Sequence, residues 1–305
     1  MSISDVITNL NKFTIPEAYQ AVKASGINCK LPSIRARIYE AVDNGILKKI
    51  ARGIYQNNNC LLVEGDGRNL SFIKTGSIDA IITDHPYEIK ASNKGGNRNF
   101  ATYDAFLYNQ EDFNEKARVL KDGAFLVEFL PEENADNYEY LYNIKQMAEK
   151  AGFKYYAKVA WKKGNFISNC GRKSKNTEDV MIFSKGEARA LRPDAKKDKA
   201  DPSVKHYMKG AAGMLPTVFD YAKPKEMLHQ AEKPVELLEA IISYVTLPEE
   251  TILDQFAGSG VLGEACVNTN RKCILIEIAQ EFVEKIKTRL NLEKETVLWK
   301  KSMLF

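Results

Sequence analysis

The sequence predicts an α/β protein: a doubly wound, mostly parallel sheet, preceded by a small helical unit that ends in a β-hairpin. Three observations carry this. After about residue 58, short apolar runs rich in Ile, Val and Phe alternate with stretches of helical period. One such run ends in a glycine-rich turn, DQFAGSG at 254–260, placed ahead of a further helix. The first 57 residues lack that alternation and read helix, turn, helix, hairpin.

Within 1–57, TIPEAYQAVKASG offers Thr14 as a cap, Pro16 in the first turn and Gly26 as a stop. LPSIRARIYEAVDNG repeats the pattern, with Ser33 as the expected cap and Gly45 as the stop. ILKKIARGIYQ then gives two short strands around Arg52-Gly53. This is the order of a winged helix-turn-helix, with Arg35 and Arg37 turned outward on the second helix and Lys48, Lys49 and Arg52 on the hairpin. Units of this kind mostly bind duplex DNA, and some serve as protein–protein modules.

The second domain is expected over 58–305, after a polar NNNC break. Its strands are CLLVEG, IDAIITD, GAFLVEFL, YYAKVAW, EDVMIFSK, TILDQF and KCILIEI. Its helices include YDAFLYNQEDFNEKARVL, NYEYLYNIKQMAEKAG, KPVELLEAIISYV and AQEFVEKIKTRLNLE. About 186–230 breaks the alternation and reads as a basic segment, either a flexible insertion or a loop region that reads the target.

Charge sharpens that picture. The net charge is only +4, yet Lys30–Tyr55 carries six basic residues against two acids. Lys158–Lys175, with Arg172, Lys173 and Lys175 at its end, carries six and no acid, and Arg189–Lys209 carries seven against three. Solvated faces often look like this, but three such runs on a nearly neutral chain favour a polyanionic partner. No apolar run reaches the roughly 18 residues of a membrane span, and the N-terminus lacks the layout of a signal peptide. Five scattered cysteines without a CxxC pair fit reduced thiols in the cytoplasm, and His85, His206 and His229 have no metal-ligand spacing.

Two strand ends bear the chemistry. The glycine loop after Asp254 lets backbone approach a ligand, and the next strand ends in Glu277, placed to take both hydroxyls of a ribose or to cap the following helix. Gly258, Gly260 and Gly263 also satisfy a dinucleotide spacing. The other strand end is IITDHPY, with Asp84, His85, Pro86 and Tyr87 in succession.

Taken together, DHPY, FAGSG with Glu277, HQAEKP and the GDGRN turn resemble, in their order, the β-class amino-group (N6-adenine or N4-cytosine) DNA methyltransferases, over about Leu61–Leu292. The resemblance implies a Rossmann-like fold and S-adenosylmethionine as cofactor. It places Asp254, Phe256, Ala257, Gly258 and Gly260 in the cofactor loop, Glu277 on the ribose, Lys233 near the methionine end and Asp66 facing the adenine moiety. Asp84 and the carbonyl of residue 85 would accept the N–H groups of an exocyclic amine, leaving its lone pair aimed at the donor methyl. Tyr87 would stack on a flipped base, and Pro86 would stiffen the loop. An initial Asp implies adenine N6 over cytosine N4, with duplex DNA as partner and a homodimer as the plausible assembly.

The sequence departs from the family pattern at His85 and Gln255, each replacing a proline, and at Gln230-Ala231. Losing proline removes a fixed φ, so looser loops are expected, with His85 working through its carbonyl and its imidazole an accident or a fine adjustment. These departures keep open an inactive or weak DNA-binding protein on this scaffold. Transfer to RNA or to a protein amide also stays open.

Overall fold

The computed structural model describes residues 2–7, 10, 12–43, 47–57, 60–87, 106–164, 176–191, 214–224, 232–290 and 292. The N-terminal elements are α1 (Ile3–Ile7), β1 (Lys12–Thr14), α2 (Ile15–Ala24), α3 (Leu31–Asp43), β2 (Leu47–Ala51) and β3 (Ile54–Asn57). Thr14 and Glu17 form a capping box that starts α2 with Pro16 in its first turn. α3 begins at Leu31, two residues before Ser33, so Ser33 is not its cap. Instead the Ser33 N–H already donates to the Lys30 carbonyl, and Pro32 is tolerated in the first turn, where its missing donor costs nothing. β1 is an addition to the expected elements: it pairs antiparallel with β3, giving a three-stranded sheet in the order β1-β3-β2. Ile7, Phe13, Val22, Ile34, Ile38 and Tyr55 close a separate small core.

The remaining elements are β4 (Cys60–Glu64), β5 (Ile78–Thr83), α4 (Gln110–Val119), β6 (Leu120–Pro131), α5 (Tyr138–Lys150), β7 (Phe153–Lys162), β8 (Thr177–Lys185) and β9 (Val218–Asp220). They end with α6 (Val235–Val245), β10 (Thr251–Asp254), α7 (Val261–Asn268), β11 (Lys272–Glu277) and α8 (Gln280–Leu290). The strands form one sheet in the order β4-β11-β10-β5-β6-β8-β7-β9. Among the described residues of this sheet, only the β6–β8 and β8–β7 pairs are antiparallel. Every residue of β5 is buried, as a strand covered on both faces must be. One face packs on α6, α7 and α8 through residues such as Leu238, Ile242, Leu262 and Val283, and the other on α4 and α5 through Phe113, Leu141 and Ile144.

Two expectations change here. The helix anticipated over 103–120 begins only at Gln110, because Asn109 and Asp112 form a capping box and leave 106–109 extended. The insertion over 186–230 contributes β9 at the sheet edge, paired with β7, while 192–213 and 225–230 lie outside the described residues. Cys29, Cys60, Cys266 and Cys273 are unbridged.

Central to function is the seam between β5 and β10, paired in parallel with Ile252 opposite Ala80 and Leu253 opposite Ile81. From β5 the chain crosses through α4 to β6 on one side; from β10 it crosses through α7 to β11 on the other. Opposed crossovers open a crevice at the carboxyl ends of the two strands, where ligands of such sheets bind.

Candidate active site

Both strand ends at that seam finish in an aspartate, and the two side chains do different things. Asp254 borders the cleft at the seam and is tied back within it: its Oδ1 accepts from Thr83 Oγ1 at 3.0 Å and from the Phe256 N–H at 3.1 Å, stitching β10 to β5. Burial pushes its carboxyl up to about 7. Asp84, a residue beyond β5, turns outward into a cleft that also borders Phe129, Lys233, Phe256, Gly258 and Leu262.

The loop after β10 is built for backbone display. Gly258 (φ 52°) and Gly260 (φ 76°) adopt left-handed conformations, and the space above Gly258 where a side chain would stand is open. The Gly258 N–H donates to Glu277 Oε2 and the Ala279 N–H to Oε1, each at 2.8 Å. Glu277 thus ties the loop to the end of β11 and caps the turn toward α8. A carboxylate oxygen accepts more than one hydrogen bond, so both retain capacity for ribose hydroxyls. Asp66, after β4, is exposed and accepts from the Arg68 N–H at 2.9 Å in a local turn beside the end of β11, where the Gly65 N–H meets the Glu277 carbonyl. An open glycine backbone flanked by an acid at the neighbouring strand end fits the nucleoside half of S-adenosylmethionine.

Lys233 goes to Asp84. Its Nζ lies 2.6 Å from Asp84 Oδ2 and 2.9 Å from Glu178 Oε2, above the rings of Phe129 and Trp161. Lys163 pairs with the same Glu178. Burial acts to raise the Glu178 carboxyl, but Lys233 and Lys163 overcome it and hold it at about 2. For Asp84 burial prevails over Lys233 and its carboxyl rises. Asp84 therefore stands as an acceptor whose charge Lys233 defends.

His85 points the other way, into the core beneath the loop, and is 1% exposed. Its Nε2 is 2.5 Å from the Tyr140 hydroxyl, and its ring lies 4.0 Å from that of Tyr108 and 5.3 Å, edge on, from Tyr87. Burial, reinforced by Lys116, holds the imidazole well below its ordinary range, so it is neutral. The Pro86 carbonyl accepts from the Phe106 N–H at 3.0 Å, and the Phe106 ring reaches Phe256 at 5.5 Å, joining the two loops.

Sequence reasoning missed Phe106 because a helix was expected through it. It also missed Glu178 and Lys163, whose only signal was an acid and a base at facing ends of the expected β7 and β8 runs. Arg289, which donates to the Ser259 carbonyl at 3.0 Å and pairs with Glu232, clamps the glycine loop and gave no signal. Among the basic residues, Arg35, Arg37, Lys49 and Arg52 are exposed in the N-terminal unit, with Arg37 paired to Glu40, and Lys48 lies in β2. Arg172, Lys173, Lys175 and the Gln230-Ala231 departure lie outside the described residues.

Known proteins resemble this chain in sequence and in fold. The chain is 28% identical over 258 residues to the type II methyltransferase M2.DpnII of Streptococcus pneumoniae, covering 79% of this chain and 93% of that one. It is 28% identical over 234 residues to M.HpaI of Haemophilus parainfluenzae, covering 73% and 71%. In fold it resembles M1.HpyAVI, solved with its S-adenosylmethionine ligand (TM-score 0.53, 24% identity, 76% of this chain and all of that one). It also resembles the cytosine-N4-specific PvuII DNA methyltransferase (TM-score 0.54, 18% identity, 77% and 87%). The profile of the N6/N4 DNA methylase family matches residues 78–288, from the first residue of β5 almost to the end of α8. The chain therefore belongs to the N6/N4 family of DNA methylases, whose cofactor is S-adenosylmethionine.

Proposed function

We propose that this protein methylates the exocyclic N6 of adenine in duplex DNA, on a base turned out of the helix. The observation that carries the reading is the pairing of an outward Asp84, backed by Lys233, with an open glycine loop across one parallel strand seam. S-adenosylmethionine supplies an electrophilic methyl on a sulfonium centre. Phe256, Ala257, Gly258 and Gly260 would line it, with Glu277 on the ribose and Asp66 toward the adenine ring. Lys233, expected near the methionine end, is engaged with Asp84, so its part is to keep that acid ionised.

The acceptor amine is a poor nucleophile because its lone pair is delocalised into the ring. Asp84 takes one N–H and the backbone carbonyl of His85 the other, turning the nitrogen toward a tetrahedral shape. Positioning of this kind supplies much of a transfer rate. Tyr87 offers a ring for the flipped base, and Pro86 holds the turn between them. The Asp that opens DHPY supports adenine, since this is the family's commoner choice for N6.

We assign 1–57 as a winged helix-turn-helix that grips duplex DNA through Arg35, Arg37, Lys48, Lys49 and Arg52, ahead of a methyltransferase domain over 58–305. Arg172, Lys173 and Lys175, with the basic insertion, would add contacts near the target. A cytoplasmic enzyme, able to act as a homodimer, fits this assignment; among the described residues no helix is long and apolar enough to cross a membrane.

Incubation with labelled S-adenosylmethionine and mixed-sequence duplex, followed by nucleoside mass spectrometry, is expected to yield N6-methyladenine. N4-methylcytosine as sole product would select the second reading, which the likeness to the PvuII enzyme supports. Tight DNA binding without transfer would make the protein a binding module. Asp84→Ala is expected to lower turnover by roughly a thousandfold or more while sparing cofactor binding.

A further inference from the structure

We infer that His85 and Tyr140, backed by the buried Lys116–Glu128 pair, form a side-chain anchor that positions the 84–87 loop in place of the family's proline. The inference rests on the transfer proposed at Asp84 and assigns positioning residues to it. Proline would fix the loop locally, through one backbone angle. Here the residue that follows Asp84 instead sends its ring into the core and is held by elements distant in sequence.

The hub is polar and almost dry. Glu128, on β6 opposite Thr83 of β5, is fully buried. It accepts from Lys116 of α4, itself fully buried, and from the Tyr108 hydroxyl at 3.2 Å. Lys116 Nζ also sits 3.8 Å from the centre of the Tyr108 ring. The His85 ring lies against Tyr108, with Nδ1 lacking a hydrogen-bond partner and 3.9 Å from Glu128 Oε2. A neutral imidazole that accepts from the Tyr140 hydroxyl at Nε2 carries its hydrogen on Nδ1, facing the Glu128 carboxylate. That tautomer is assigned from the network and places a proton on each contact. Buried ions and unpaired polar atoms are costly, so a hub of four polar side chains under one short loop needs a return. The return visible here is orientation. Asp84 leaves the loop toward the cleft, His85 leaves it toward the hub, and Tyr87 rests on the His85 ring.

The test is a double-mutant cycle on the full chain with Tyr140→Phe and His85→Phe, both of which keep an aromatic ring. Methyl transfer to duplex DNA is counted whichever base accepts it, and S-adenosylmethionine affinity is measured in parallel. Each single variant is expected to lose about tenfold in kcat with cofactor Kd within about twofold, and the double to be no worse than about twofold below the weaker single. Losses that multiply in the double, or a Tyr140→Phe enzyme within about twofold of wild type, would overturn the anchor. Hydrogen exchange supplies a readout independent of turnover. In Tyr140→Phe, the amides of Asp84, His85 and Tyr87 should exchange several-fold faster while β5 is unchanged; unaltered exchange in the loop would overturn the proposal. A wild-type protein that transfers no methyl to any DNA would count against the proposed function, and the exchange result would still decide this inference.

Discussion

The loops after β5 and β10 sit side by side, each opening with an aspartate followed by a residue that replaces a family proline, and the two replacements are solved differently. Gln255 is 2% exposed, and its Nε2 donates to the Gly67 carbonyl at 2.7 Å, a single tie between the glycine loop and the turn bearing Asp66. Around it, Glu277, the Ile276 carbonyl and Arg289 hold the same loop through its backbone. His85 is buried as deeply, but it is an integral part of a hub that also contains two ions. The loop after β10 is therefore held by several bonds to its backbone, while the loop after β5 has, among the described residues, one main-chain bond, from the Phe106 N–H to the Pro86 carbonyl, and the buried His85 ring. Loss of proline need not loosen a loop when a buried polar group replaces a backbone constraint with a tertiary one.

The largest break in this comparison comes from Lys116→Met. It strands the Glu128 carboxylate in the core and is expected to cost about 3–5 kcal/mol in urea-induced unfolding. Restoring proline at the two loops should separate them. His85→Pro removes a packed ring and is expected to cost about 2–4 kcal/mol, with slower transfer. Gln255→Pro loses a single hydrogen bond and should cost about 1 kcal/mol, with near-normal kcat. Equal penalties at the two sites, measured by the same unfolding curves, would erase the distinction.

Smaller effects sharpen it. Lys233 opposes the upward push that burial gives Asp84, so Lys233→Met should raise that carboxyl further. The acid limb of the kcat profile would then move to higher pH, read by measuring kcat against pH for the two proteins. Asp254 provides the stability counterpart. Its carboxyl is at about 7 in the folded chain against about 3.9 unfolded, so its contribution is full below about pH 4 and is lost as pH rises through 7. Asp254→Asn can keep both hydrogen bonds without ionising. It should gain on wild type by about 2–3 kcal/mol between pH 5 and pH 8, read as a difference in thermal unfolding.

Much of this was legible from the chain. Alternating apolar and helix-period runs marked the strands and helices because burial on both sheet faces leaves no other pattern for them. The glycines at 258 and 260 marked a turn that only a residue tolerant of positive φ takes readily. Asp84 and Glu277 stood out because each closes an apolar run. Illegible were the destinations of side chains from those positions. Asp254, expected in the cofactor loop, also bonds Thr83, and Lys233, expected near the methionine end, also reaches Asp84 across 149 positions of sequence. The helix drawn through Phe106 failed because Asn109 and Asp112 make a cap whose strength the surrounding helix-period residues concealed.

By itself the sequence determined the class of fold, most of the strands and helices of its larger sheet and the two strand ends where chemistry could occur. These follow from periodicity, from glycine and proline stereochemistry and from composition, all of which are local. Only the tertiary structure decided that Lys116, Glu128 and Tyr140 converge on His85, and that Glu178 and Lys163 stand behind Lys233. Such contacts depend on how strands are ordered across the sheet, and no local propensity encodes which distant side chains a parallel sheet will bring to the same edge.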